Sequence, residues 1–246
     1  MKILVPISKV PDTTAKIAFT NNNTEFDTNN VQFIINPTDE WYALVRAIEL
    51  VEKNGGSVTV INVGPAANEQ FIRKALAIGA NDAVRVDAEP KDAFFTASQI
   101  ADYAKANAYD LVLTGKETID YNGAQIGGMI AEFMDAGYVS LVTRLDIEDG
   151  KASINREIEG GEEVVEASLP LVISAQKGMA EQRIPNMRGI MQARTKPLTV
   201  IPANGNSPLV NIAAYHLPAE KDGCTYVDAD NVGELVRLLH EEAKVI

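Results

Sequence analysis

The chain has 246 residues, 46% of them hydrophobic, with 22 basic side chains against 34 acidic ones and a formal net charge of −12. That length and apolar content support one large domain with a sizeable core and exclude a disordered chain, while the acidic balance leaves no surplus of Lys and Arg to neutralise a nucleic-acid backbone. A single cysteine, Cys224, excludes an intrachain disulfide and predicts a reducing compartment, the cytoplasm.

The opening run, Met-Lys-Ile-Leu-Val-Pro-Ile-Ser, is too short for a signal segment or a membrane span. No later apolar run reaches spanning length, so the expectation is a soluble protein with no membrane insertion. His216 and His240 stand without cysteines or paired carboxylates at ligand spacing, which predicts surface or packing histidines and no metal site.

Residues 2–7 read as an apolar strand closed by Pro11-Asp12. Residues 17–35 alternate weakly between the clusters Asn21-Asn22-Asn23 and Asn29-Asn30, predicting small strands at the sheet edge. After Asn36-Pro37-Thr38-Asp39, the apolar residues Leu44, Ala47, Ile48 and Val51 share one helical face; Thr38 or Asp39 is the expected N-cap, and Gly55-Gly56 the stop. Residues 57–63 form the next strand, 69–78 a helix, 83–86 a strand, and Asp92 caps a helix carrying Phe95, Ile100, Tyr103 and Ala104. A strand at 111–114 and a Gly-rich turn lead into a helix at 125–134. Strands alternating with helices predict a mostly parallel sheet with helices on both faces, an α/β fold.

From Val139 the rhythm changes. Residues 139–147, 152–158 and 164–174 read as strands joined at Asp149-Gly150 and Gly160-Gly161, predicting antiparallel edge hairpins. Residues 176–196 form a cationic stretch with Lys177, Arg183, Arg188, Arg194 and Lys196. Residues 197–222 look irregular, and 232–242 form a last amphipathic helix. The division expected is a body of residues 1–197 and a C-terminal arm, 198–246, too poor in apolar face to fold alone and so packed on the body or on a partner.

In an open parallel sheet, ligands sit past the carboxyl ends of the strands at the topological switch point. Pro6-Ile7-Ser8, Asn36 to Asp39, Val63-Gly64-Pro65 and the stretch running from Gly115 to Gly127 converge there. In that stretch Gly123, Ala124 and Gly127 let helix-terminal N–H groups approach an anion; Lys116 adds a charge, Asn122 and Gln125 offer hydrogen bonds to ribose or phosphate, and Asp120 orients the loop. The pattern is neither a Walker A loop nor GxGxxG, so a packing role for these glycines stays open beside a nucleotide site. Cys224 has no base beside it in sequence, and Glu157, Glu159, Glu162 and Glu163 read as a solvated hairpin face; the chain looks like a binder whose chemistry belongs to a cofactor.

The run Arg156-Glu157-Ile158-Glu159-Gly160-Gly161, the pair Leu169-Pro170, and the run from Glu181 through Met187, Gly189 and Met191 to Lys196-Pro197 resemble the signature of the electron transfer flavoprotein beta subunit. So do Asn36-Pro37, the stretch from Ile72 to Ala80, and Gly115-Lys116-Glu117-Thr118-Ile119-Asp120. The likeness runs in order to about Pro197. It implies a Rossmann-like fold of the adenine-nucleotide-binding type, and a heterodimer with an alpha subunit that holds most of the FAD. It also implies an electron-carrier role, not an enzyme's, between dehydrogenases such as acyl-CoA dehydrogenases and a quinone reductase or other acceptor. By position, Pro6, Asn36, Asp39, Val63, Gly115, Lys116, Asp120, Asn122, Gly123, Ala124, Gln125 and Ile126 resemble the family's nucleotide contacts, for AMP or, in bifurcating members using NADH, a second FAD. Residues 182–190 resemble its docking loop, with Ile184 and the anchor Met187, and Glu157 resembles the glutamate that tethers the flavin domain. Ala124 stands where many AMP-binding members have Asn, and Ala-Gln-Ile-Gly is closer to the bifurcating loop. Gln182 replaces the usual Pro, and Met187 the usual Leu. A nucleotide-binding module of the universal-stress type is the alternative.

Overall fold

The computed structural model describes residues 1–220 and 223–246; Lys221 and Asp222, at the end of the stretch read as irregular, lie outside the described residues. Strand β1 (Lys2–Pro6) sends Ile3 and Val5 into one apolar cluster and Leu4 into another. Successive strand side chains point to opposite faces, so a strand covered on both sides must be apolar throughout. Strands β2 (Lys9–Pro11) and β5 (Phe33–Ile35) pair antiparallel, as do β3 (Phe19–Thr20) and β4 (Glu25–Phe26). The expected edge strands of this region therefore form two small ladders of their own instead of joining the main sheet. They are too short to add a row to it, and the left-handed Asn21, Asn22, Asn23 and Asn30 turn the chain between them.

Helix α1 (Asp39–Asn54) buries Ala43, Leu44, Ala47 and Ile48. Thr38 occupies its N-cap but makes no side-chain cap, and its φ of 67° is a strained conformation for a β-branched residue. There follow β6 (Ser57–Val63), α2 (Glu69–Ile78), β7 (Asp82–Asp87), α3 (Ala93–Ala106), β8 (Leu111–Gly115) and α4 (Ile126–Met134). The Asp92 cap is as read, its carboxylate accepting from the Phe95 N–H at 2.7 Å. Strands β9 (Gly137–Glu148) and β10 (Lys151–Ile158) come next, then β11 (Gly161–Ser168), β12 (Leu171–Ala175), α5 (Met187–Ala193), β13 (Leu198–Pro202) and α6 (Val232–Arg237).

Among the described residues the main sheet has nine strands, ordered β11-β10-β9-β12-β8-β1-β6-β7-β13. From β9 to β13 every neighbouring pair is parallel, and β10 and β11 close one edge antiparallel. One core holds α1, α2 and the sheet face beneath them; the other holds α3 and α4.

Two sequence expectations change here. The single strand read at 164–174 is broken at Leu169-Pro170, where proline has no N–H to give the ladder, and its second half slots as β12 between β8 and β9. Residues 198–202, read as irregular, form β13 beside β7, so the boundary expected at 197/198 falls immediately before a sheet strand.

Candidate functional site

The chain runs from β1 outward through β6 to β7, then returns to the other side of β1 as β8. The carboxyl ends of β1 and β8 thus part at a switch point, where an open sheet leaves a crevice. Asn36 is fully buried beside it and spends its whole amide on the loop after β8: Nδ2 donates to the Glu117 carbonyl and Oδ1 accepts from the Ile119 N–H, both at 3.0 Å. It is a clamp on the loop.

Gly115 makes the crevice compact. A Cβ there would lie 2.8 Å from the backbone nitrogen and from Cγ of Glu40, so the start of α1 can abut the end of β8 only because that atom is missing. The Glu40 carboxylate, 6% exposed, accepts from the Ser8 N–H at 2.7 Å. Burial pushes its pKa up to about 8 against the pull of that bond, and the charges of Asp120 and Asp39 add to the rise. Asp39 is buried and also raised, first by desolvation, with Lys116 opposing. Lys116 reaches Glu117 at 3.0 Å, and that bond raises its pKa.

Pro6 and Val63 are buried at the rim. Behind them Asn62 donates to the Ile7 carbonyl at 2.8 Å, Asn68 donates to Asn62 at 3.1 Å, and the buried Arg85 donates to the Gly64 carbonyl at 2.9 Å.

The loop leading into α4 is exposed from Asp120 to Gln125, with Asn122 and Ala124 in left-handed conformation. Asn122 closes a turn onto the Thr118 carbonyl at 2.9 Å, and Asp120 accepts from the Tyr121 N–H at 3.0 Å. Gln125 sits at the N-cap of α4 without a side-chain bond, and the first turn of α4, opening on Ile126, carries no acidic residue. Helix-terminal N–H groups without a carboxylate partner, at the positive end of the helix dipole, are suited to take an anion. The tail passes close by: Tyr215 meets the Tyr121 hydroxyl at 2.9 Å and stacks on Phe19 at 4.8 Å.

The residues read as a docking set lie elsewhere. Ile184 is 91% exposed and Met187, which opens α5, is 73% exposed, so neither side chain belongs to the core. A cavity of about 490 Å³ sits beside them, lined by residues of the 183–196 stretch and the end of α2. Glu157, at the end of β10, is exposed and accepts a hydrogen bond from Gln176. Cys224, His216 and His240 are exposed. Among the described residues no group of three acidic, His or Cys side chains is placed to hold a metal, and no helix is long and apolar enough to cross a membrane.

The family model described as electron transfer flavoprotein domain matches residues 24–205. The electron transfer flavoprotein subunit beta of Bacillus subtilis is 33% identical over the whole of both chains. This chain belongs to the electron transfer flavoprotein family, as a beta subunit. The human electron transfer flavoprotein subunit beta is 33% identical over 82% of this chain and 81% of its own length. The caffeyl-CoA reductase-Etf complex subunit CarD of Acetobacterium woodii is 33% identical over 81% and 78%.

Several residues of this flavoprotein subunit were not singled out from the sequence. Glu40 heads the buried stripe of α1, four residues before Leu44. A carboxylate on an apolar helical face is itself a signal, because burying it demands a partner. Asn62 and Arg85 are polar interruptions in otherwise buried strands. Tyr215 lies in the tail, where no periodicity marks it.

Proposed function

We propose that this chain works in a heterodimer with an electron transfer flavoprotein alpha subunit that holds most of the FAD, and that the pair carries electrons from dehydrogenases, such as acyl-CoA dehydrogenases, to a quinone reductase or similar acceptor. The beta subunit is a carrier component and not an enzyme in its own right. The observation that carries the reading is the uncapped, carboxylate-free start of α4 at the sheet's switch point, in a chain of this family. An adenine nucleotide fits it: residues 126–128 would take a phosphate on their N–H groups, with Lys116 adding charge and Asn122 and Gln125 offering bonds to ribose or phosphate. Pro6, Val63, Asn36 and Asp39 would shape the walls, Asn36 by holding the loop in place. Bound flavin supplies the redox chemistry. The chain's own residues bind, orient and exclude water, while Ile184 and Met187 serve as the apolar anchor for the dehydrogenase and Glu157 tethers the flavin-bearing domain.

A second reading, a bifurcating form that uses NADH and holds FAD in the beta site, is favoured by the Ala124-Gln125-Ile126-Gly127 loop and by the caffeyl-CoA reductase relative. Co-expression with the alpha subunit, followed by extraction of bound nucleotides, separates the two. One FAD with AMP per heterodimer supports the carrier, and two FAD support bifurcation. Neither nucleotide in the beta site would overturn the placement.

A further inference from the structure

The segment between β12 and α5 is tied down firmly at its two ends. At the start, Met179 is buried and Gln176 bonds to Glu157. At the far end, Asn186 caps α5 by accepting from the Gly189 N–H at 2.8 Å, and Gly189 lies so close to α2 that a Cβ would come 2.4 Å from the Ala77 carbonyl. Arg73 donates to the Ala193 and Lys196 carbonyls at 2.8 and 2.6 Å, and Lys196 donates back to Leu76 and Ala80 at 2.9 and 2.6 Å.

Between these anchors, among the described residues, a single side chain bonds residues 180–185 to the body. Arg183 places its two terminal nitrogens on the two carboxylate oxygens of Glu52, at 2.8 and 2.9 Å, and approaches Glu49 at 3.8 Å. Glu49 pairs with Arg46 at 3.0 Å, and Arg46 with Asp146 at 2.9 Å. The ladder therefore runs along the flank of α1 to β9, two elements of the rigid body. Arginine's planar fork fixes direction as well as distance. Turning Arg183 inward leaves its neighbour Ile184, on the rim of the cavity, facing solvent, three residues before the exposed Met187.

We propose that Arg183 is a positioning residue for partner docking: its two-point grip on Glu52 holds the 180–186 segment so that Ile184 and Met187 stand out together as one apolar anchor. This rests on the docking role given above to Met187. A half-exposed ion pair adds little to global stability, so its effect is local. Ordering the anchor before encounter removes an entropic cost from association.

The test uses the assembled heterodimer and a purified acyl-CoA dehydrogenase that reduces it. Arg183→Met and Glu52→Gln should each speed hydrogen exchange about tenfold at the Gly189 and Ile190 amides, which are bonded to Asn186 at the end of the segment. Each should also raise the KM for the dehydrogenase roughly three- to tenfold with kcat unchanged, and the double variant should be no worse than either single one. The inference is overturned if Arg183→Met keeps wild-type exchange and KM while Met187→Ala raises KM, or if the two substitutions act additively. If Met187→Ala itself leaves KM unchanged, the docking reading fails and this inference fails with it.

Discussion

Glu40 sets a buried carboxyl against one backbone N–H, and the balance decides how it responds to pH. Its folded pKa of about 8 stands above the ordinary 4.5. Below 4.5 the group is neutral in both states; between 4.5 and 8 the unfolded chain releases the proton while the native one keeps it, so stability falls as pH rises through that window. Glu40→Gln keeps an acceptor for the Ser8 N–H and removes the titration. Urea unfolding should show the variant losing less stability than wild type between about pH 5 and 8, the gap widening to on the order of 4 kcal/mol at pH 8; a gap that does not widen with pH would mean that the native form is ionised. Two neighbours test the geometry. Ala124, at φ 51°, carries a Cβ in a left-handed conformation at a cost of roughly 1–2 kcal/mol, so Ala124→Gly should stabilise the chain by up to about that amount in the same assay. Gly115→Ala drives a Cβ to 2.8 Å from the Glu40 nitrogen; it should cost about 1–3 kcal/mol and lower the nucleotide content of the purified heterodimer.

Asp92 couples two elements with one side chain. One oxygen caps α3 and the other accepts from the Leu209 and Val210 N–H groups at 2.6 and 2.9 Å. Asp92→Ala should therefore lower stability by about 1 kcal/mol through the lost cap and also release the arm, seen as faster proteolysis at residues 203–212; Ala substitution without that nicking would mean the arm is held by other contacts. The cap was legible because Asp precedes a periodic helix, whereas the arm contact was not, since nothing local in Leu209-Val210 marks a partner 117 residues away. The same division runs through the fold. Strands β1, β6 and β8 declared themselves by unbroken apolar runs and turn residues. The break at Pro170 and the insertion of β12 beside β8 depend on which edges were free, a property of the assembled sheet. β13 was hidden because an edge strand flanked by prolines is half-exposed and lacks alternation. At the site, the start of α4 and its loop could be read from small residues alone, while the roles of Asn36 and Glu40 required knowing that α1 begins against Gly115.

Across the whole molecule, the body and the tail differ in kind. The body packs most of its apolar residues into two cores, with Ile184 and Met187 among the exceptions, whereas Leu209, Leu217, Tyr226, Val232, Val236, Val245 and Ile246 of the tail are between 50% and 90% exposed. Under the heterodimer reading the alpha subunit covers these exposed apolar side chains. Among the described residues the ties from 209–246 to the body are few: Asp92 accepts from the Leu209 and Val210 backbone, and Tyr215 stacks on Phe19 and bonds to Asn23 and Tyr121. Deleting residues 209–246 thus leaves every strand of the main sheet in place, since β13 ends at Pro202. The truncated chain should unfold within a few degrees of the full chain and should no longer co-elute with the alpha subunit in size-exclusion chromatography. The full chain alone should self-associate at high concentration, because water is a poor neighbour for those side chains. A truncated chain that still binds the alpha subunit with full affinity would shift the assembly surface from the tail to the body.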